Sequence, residues 1–301
     1  MGSSESRDAG RRRGAMTARA SSRMAPLSSS LLIATYNWPR ALAVVLASVR
    51  GQTVLPTEVI IADDGSGEDT RALVAAEVKS FPVPIHHVWH KDMGFRLAAI
   101  RNKSMAVAHG DYLIQIDGDT VLHSAFVESH VAFARRGSYV QGSRAMLDER
   151  RTQECLNAGR IITNAWSMGV RNRVNALHLP WMSGLVRGPT DPLRRTRGCN
   201  MAFWRHDILR VNGYDEAIEG WGREDSELAA RLQQSGVRRR NLKLSGVAWH
   251  LHHRTRSQQS LGQNHERFAQ TVTERRTRCD RGIDQWMPPP GHAARSGAPD
   301  R

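Results

Sequence analysis

Asp111-Tyr112-Leu113-Ile114-Gln115-Ile116-Asp117-Gly118-Asp119 is an apolar run of strand length that stops at two carboxylates separated by one glycine. A buried strand with this ending delivers a pair of acids to its C-terminal edge, which in an open α/β sheet is where ligands sit. Carboxylates this close repel unless a cation lies beside them, and hard oxygen ligands suit Mg²⁺ or Mn²⁺ carrying a phosphate-bearing substrate. Asp-Gly is also a common hairpin dipeptide, so a plain surface turn is the competing reading of the same residues.

Working outward, Leu31-Leu32-Ile33-Ala34 predicts a first buried strand, and Asn37 is placed to cap a helix that opens on Pro39 and closes at Gly51. Val59-Ile60-Ile61-Ala62 repeats the pattern and runs into Asp63-Asp64-Gly65-Ser66. A helix to about Val78, a strand over 85–89 and a helix opened by Gly94-Phe95-Arg96 lead back to Asp111. Strands alternating with helices at this spacing predict a mostly parallel, doubly wound α/β sheet with both acid clusters on one crevice.

Beyond Thr120 the alternation loosens. Residues 124–135 read as a helix, 138–146 as a strand, and 147–196 as irregular. Order sharpens at Gly198-Cys199-Asn200, then Gly220-Trp221-Gly222-Arg223-Glu224-Asp225 enters a helix. Two glycines let backbone approach a ligand, and the Trp221 face between them suits the apolar side of a sugar ring. A carboxylate there can take a hydroxyl proton as general base. Glu227 reads as ordinary first-turn capping at a positive helix end. His250, His252 and His253 end a later strand; on an extended segment His250 and His252 share a face, in a turn His250 and His253 converge, and imidazole favours Mn²⁺ over Mg²⁺.

Length, 40% hydrophobic and 24% charged residues place the chain among ordinary globular proteins with a sizeable core. Its net charge of +14 is unevenly spread: residues 1–28 and 254–301 each carry +4, leaving +6 for the middle. Such tails attract anionic lipid or nucleic acid, or are simply solvated. Three scattered cysteines, no apolar run of spanning length and no signal-like h-region give the expectation of a reducing cytoplasm, with weak peripheral contact at the inner face of the membrane through the basic tails. The expected organisation is a disordered basic tail over 1–28, a first half over 29–123 that holds both strand-end acid clusters, a second half over 124–268, and a loosely ordered tail over 269–301.

Ala34-Thr35-Tyr36-Asn37, Ala62-Asp63-Asp64-Gly65-Ser66 and Asp117-Gly118-Asp119 together resemble the nucleotide half of family 2 inverting glycosyltransferases with the GT-A fold. Gly94-Phe95-Arg96-Leu97-Ala98-Ala99-Ile100-Arg101-Asn102 is similar to the segment before the metal motif in bacterial chondroitin-type polymerases, and Gly220 to Asp225 to the acceptor motif of β-1,4-galactosyltransferases. The resemblance implies a metal-dependent inverting glycosyltransferase that moves a sugar from a UDP-sugar donor to a saccharide acceptor, in cell-surface polysaccharide or glycoconjugate synthesis. It places Thr35, Tyr36, Asn37, Asp63, Asp64, Arg96, Arg101 and Asp117 around the nucleotide, with Asp64 on the uracil edge. It gives Asp119, His250 and His253 to Mn²⁺ or Mg²⁺, the His pair because it precedes Asn264-His265-Glu266-Arg267-Phe268. Trp221 and Gly222 would receive the acceptor, Asp225 would be the base and Glu224 would orient the hydroxyl. Arg223 departs from the galactosyltransferase pattern, where a small residue is usual. A basic nucleic-acid-binding protein is the reading from another class, disfavoured because no aromatic-plus-basic platform or recognition helix is visible. A non-catalytic sugar-binding relative is disfavoured by intact acids at each expected position.

Overall fold

The computed structural model describes residues 27–183, 193, 196–254 and 257–288. The chain starts with β1 (Ser29–Thr35), α1 (Pro39–Arg50), β2 (Glu58–Asp63), α2 (Glu68–Val78), β3 (Ile85–Trp89), α3 (Leu97–Val107) and β4 (Tyr112–Asp117). It continues through β5 (Thr120–Leu122), α4 (Phe126–Phe133), β6 (Ser138–Gln141), β7 (Ala145–Leu147), α5 (Glu149–Ala158) and β8 (Val170–Arg171). Then follow β9 (Asn200–Trp204), α6 (Arg205–Val211), α7 (Glu224–Gln234), β10 (Arg238–Asn241), β11 (Ala248–His250) and α8 (Leu261–Thr273).

The expected α/β sheet is present. Seven strands in the order β10-β6-β9-β4-β1-β2-β3 form it, with β3, β2, β1 and β4 mutually parallel and β9 antiparallel to β4 and β6. Leu31 and Ile33 pack into one apolar layer and Leu32 into the other, so helices cover both faces and each central strand is apolar on both sides. The order reverses across β1, which opens a crevice beyond the carboxyl ends of β1 and β4. Register puts Thr35 level with Asp63, and Ala34 level with Asp117, so the two acid clusters share that crevice. Gly118 lies flat against β1, donating its amide to the Ala34 carbonyl at 2.6 Å; a Cβ there would stand 3.0 Å from Thr35.

Several expectations are corrected. Asn37 does not cap α1: the cap position is Trp38, and Asn37, at φ +48°, accepts from the Gly67 amide at 2.9 Å, tying the β1 loop to the β2 loop. The strand expected over 138–146 is two strands in two sheets. The break falls where Asn200 takes the Ser143 and Gly246 carbonyls, and β7 then joins β5, β11 and β8 in a second, four-stranded sheet. Within the stretch expected to be irregular, α5 forms because Asp148 caps it through the Arg151 amide and Gly159 ends it in a left-handed conformation. The halves divided at residue 123 share one sheet, since β9 inserts between β4 and β6. The tail expected to be loose from 269 is packed to Trp286: Ile283 is buried, Asn212 holds the Cys279 carbonyl, and the Trp286 indole donates to Glu216 at 2.6 Å. The basic tail over 1–28 lies, except for Leu27 and Ser28, outside the described residues, as does everything after Pro288.

Candidate active site

The crevice is built from three groups of side chains. At the end of β2, Asp64 is buried with one carboxylate oxygen 2.8 Å from His90 Nε2 and the other accepting the Arg96 amide at 3.1 Å. Arg96 thus serves here through its backbone at the start of α3. Asp63, expected on the nucleotide, points inward instead. It is wholly buried, accepts the Ser66 amide at 2.8 Å and pairs with His87 Nε2 at 2.9 Å; burial pushes its carboxyl up, but these partners carry it below its ordinary value. Its work is to hold the Asp64-Gly65-Ser66 turn. Thr35 is buried at the rim, and the Tyr36 hydroxyl donates to Asp92 at 2.8 Å.

The second group surrounds a cation within the chain. Arg101, also expected on the nucleotide, is 2% exposed and donates to Asp117 at 2.9 Å and to Glu224 at 3.4 Å, over the Tyr214 ring. It is therefore a bridge between the β4 acids and the α7 acids. Gly198 makes room for it, since a Cβ there would come within 2.8 Å of the guanidinium. The Gly198 amide also donates to Asp225 at 2.8 Å, and Ser226 Oγ to the other Asp225 oxygen at 3.3 Å. Burial pushes both Glu224 and Asp225 above their ordinary values; their mutual repulsion adds to this for Glu224, and Arg101 opposes it for both. Two adjacent carboxyls with raised affinity for protons, at the start of a helix, are equipped to exchange one.

Trp221 stands 38% exposed on the loop before α7. That loop is anchored: Gly220 donates to the Phe95 carbonyl, Asn264 of α8 holds the Glu219 carbonyl at 2.9 Å, and Arg267 grips Asp215 with two bonds of 2.6 and 3.2 Å. The Asn-x-x-Arg-Phe run is thus the clamp on the Gly-Trp-Gly loop. Gly222 sits at φ +103° and Arg223 at φ +79°, a left-handed backbone that explains why a small residue suits position 223. Arg223 is offset by its guanidinium lying over the Phe268 ring.

The third group is Asp119, His250 and His253. Antiparallel pairing of β11 with β5 sets His250 opposite Thr120, and the Leu251 amide donates to the Asp119 carbonyl. His250 Nε2 stands 3.5 Å and His253 Nε2 3.2 Å from the Asp119 carboxylate, and the three ligand atoms lie within 4.8 Å of one another. His253 Nδ1 is 2.8 Å from the Arg254 carbonyl, an arrangement that directs Nε2 toward Asp119 and is the usual support of a metal-binding imidazole. His252 is left out of the cluster; it is exposed, and its amide donates to Thr152. Burial pushes the Asp119 carboxyl up, but His250 and His253 outweigh it and hold the group ionised below its ordinary value. One carboxylate and two imidazoles fit a divalent transition ion such as Mn²⁺.

Glu227 is not a helix cap. It is 1% exposed and forms a two-bond pair with the buried Arg231 at 2.6 and 2.7 Å, one turn on. Sequence reasoning also passed over His90, Gly198 and Arg144, whose guanidinium faces Asp117, Asp119 and the buried Cys199. The available signal was the glycine of Arg197-Gly198-Cys199, next to a strand that ends beside the acids.

Acids at the carboxyl ends of parallel strands, faced by a second acid pair at the start of the helix that follows a glycine-flanked aromatic loop, define a sheet of the GT-A class. Residues 30–161 match the model for glycosyl transferase family 2, and residues 187–254 the model described as the N-terminal domain of galactosyltransferase. The chain belongs to the family 2 glycosyltransferases. Chondroitin synthase of Escherichia coli is 31% identical over 238 residues, which cover 73% of this chain and 34% of that protein. Validoxylamine A glucosyltransferase of Streptomyces hygroscopicus subsp. limoneus is 27% identical, covering 69% and 48%. The chain thus spans a third to a half of the length of these two relatives. In fold it is similar to S. aureus TarS 1-349 in complex with UDP (TM-score 0.58, 14% identity, 86% of this chain and 68% of that one). It is also similar to the mannosyltransferase PcManGT of Pyrobaculum calidifontis in complex with GDP-Man and Mn²⁺ (TM-score 0.51, 16% identity, 76% and 59%).

Proposed function

We propose that the chain transfers a sugar from a UDP-sugar to a hydroxyl of a saccharide acceptor, with inversion at the anomeric carbon, in polysaccharide or glycoconjugate synthesis. The observation that carries this is Arg101, which holds Asp117 of the strand edge and Glu224 of the acceptor loop on one guanidinium, so that the two acid sets face each other across the crevice. Asp64, aligned by His90 and the Arg96 amide, is assigned the uracil edge, with Thr35 and Tyr36 beside it. Trp221 offers its face to the acceptor ring. Asp225 accepts the acceptor hydroxyl proton; the oxygen forms its bond to the anomeric carbon on the side opposite UDP, and the electrons of the breaking bond leave with the diphosphate. Glu224, anchored by Arg101, orients that hydroxyl. Asp119, His250 and His253 would hold a divalent cation, which when bound would supply Lewis-acid neutralisation of charge on the leaving diphosphate. UDP complexes and Mn²⁺ complexes among proteins of similar fold support this choice of donor and metal.

Asp225→Asn is expected to lower transfer by on the order of 10²–10⁴ while UDP affinity stays as it was. It is read by product formation over a panel of UDP-sugars with Mn²⁺, and unchanged turnover assigns the base elsewhere. Asp119→Ala is expected to remove the Mn²⁺-dependent part of UDP affinity in calorimetry; equal affinity with and without the carboxylate would sink the metal assignment.

A further inference from the structure

A second cluster lies at the opposite edge of the sheet. Glu58 opens β2, His86 is on β3 and His109 sits in the turn between α3 and β4. Because β2 is extended for six residues, Glu58 is about 16 Å along the strand from Asp63 and the acid-lined crevice. Glu58 is 4% exposed, and its two oxygens are used differently. Oε1 accepts Ser30 Oγ at 2.6 Å, the His109 amide at 2.6 Å and the Gly110 amide at 3.3 Å. Oε2 is met by both imidazoles, His86 Nε2 at 3.2 Å and His109 Nδ1 at 3.2 Å.

We propose that Glu58, His86 and His109 form a transition-metal site of the Zn²⁺ class, distinct from the one at Asp119. Around an ion with bonds of about 2.0–2.1 Å, tetrahedral ligands stand roughly 3.3 Å apart, and both imidazole nitrogens meet that span to the same oxygen. The three ligand atoms fall within 4.8 Å of one another. The saturated Oε1 is the outer support that metal-binding carboxylates carry, aiming Oε2 outward. Sheet pairing fixes the backbone of two ligands, since Ser30 is level with Glu58 and His86 with Ile60. Two imidazoles and one carboxylate select Zn²⁺, Ni²⁺ or Cu²⁺ over Mg²⁺ or Ca²⁺. His86 is half-exposed and His109 largely exposed, which leaves the fourth position to water. Such an ion ties β2, β3 and the turn that leads into β4.

The test uses the full chain and Co²⁺, followed by its visible absorption, with Zn²⁺ competition. His250→Ala/His253→Ala removes the crevice imidazoles and is expected still to bind one Co²⁺, displaced by Zn²⁺. Adding His86→Ala and His109→Ala is expected to weaken that binding by at least roughly tenfold. It should also abolish the rise in melting temperature that Zn²⁺ gives the first variant. Because both imidazoles also face the buried Glu58 carboxylate, the variants are compared by the shift that Zn²⁺ gives each over its own melting temperature in EDTA. Absence of Co²⁺ binding in the first variant, or equal affinity in the second, overturns the proposal. Loss of the crevice site alone would register only in the native chain's extra equivalent.

Discussion

At the scale of single residues, chemistry concentrates on Arg101 and the carboxyls it faces. Asp117 alone is a strand-end acid and Glu224 alone a helix-start acid; the buried guanidinium makes them neighbours. Glu224 and Asp225 both hold protons more tightly than ordinary carboxyls, chiefly because burial disfavours their charge. The base must be ionised to work, so kcat/KM is expected to rise with pH, with a midpoint above the ordinary carboxylate value of about 4. That midpoint belongs to the pair. Glu224→Gln removes one of two like charges and is expected to move it to lower pH, since the remaining acid then ionises more easily. A pH profile unchanged by Glu224→Gln would show that the two do not share the titration.

At the scale of elements, the site depends on pairings far apart in sequence. The β5–β11 ladder brings His250 to Asp119 across about 130 residues, and α8 clamps the Trp221 loop through Asn264 and Arg267. The helix that presents Glu224 and Asp225 is itself pinned by Glu227–Arg231, a pair with almost no exposure that also receives Thr271 of α8 and reaches the Val211 carbonyl. Removing one partner strands a buried charge. Glu227→Ala is therefore expected to destabilise the chain by about 3–5 kcal/mol in chemical denaturation. A loss below about 1 kcal/mol, the range of exposed pairs, would mean the pair is solvated.

At the scale of the whole molecule, one sheet carries the acid-lined crevice along its carboxyl edge, and the N-terminal half and β9 of the C-terminal half build it together. No helix among the described residues is long and apolar enough to cross a membrane. The net charge of +14 raises duplex DNA as an alternative ligand. UDP with Mn²⁺ is expected to raise the melting temperature in a way that survives added salt, because the contacts are enclosed. Any stabilisation by DNA is expected to vanish with salt, as counterion release requires. A salt-resistant shift with DNA and none with UDP would favour the nucleic-acid reading.

The run from Asp111 to Asp119 was enough to place two acids at a strand end, and the apolar runs before Asp63 and Thr35 were enough to set them on one edge. Those are local properties: apolar period, glycine position and strand length all reside in consecutive residues. Sequence also ranked Glu224 and Asp225 above ordinary helix caps, from the Gly-Trp-Gly before them. It could not say that Asp63 turns inward to His87, that Glu227 is a buried ion pair, or that Arg101 pairs with Asp117 and Glu224. Each of those depends on what burial leaves as the nearest partner: His87 lies 24 residues from Asp63, and Asp117 and Glu224 lie 16 and 123 from Arg101, all brought in by sheet order and helix packing, while Glu227 and Arg231, one turn apart, are buried only because Thr271 and the Val211 carbonyl close over them. The sequence by itself determined which residues can carry charge, coordinate an ion or stack on a ring. The tertiary structure alone decided which of them meet, because the cost of burying an unpaired charge is settled only where the chain closes around it.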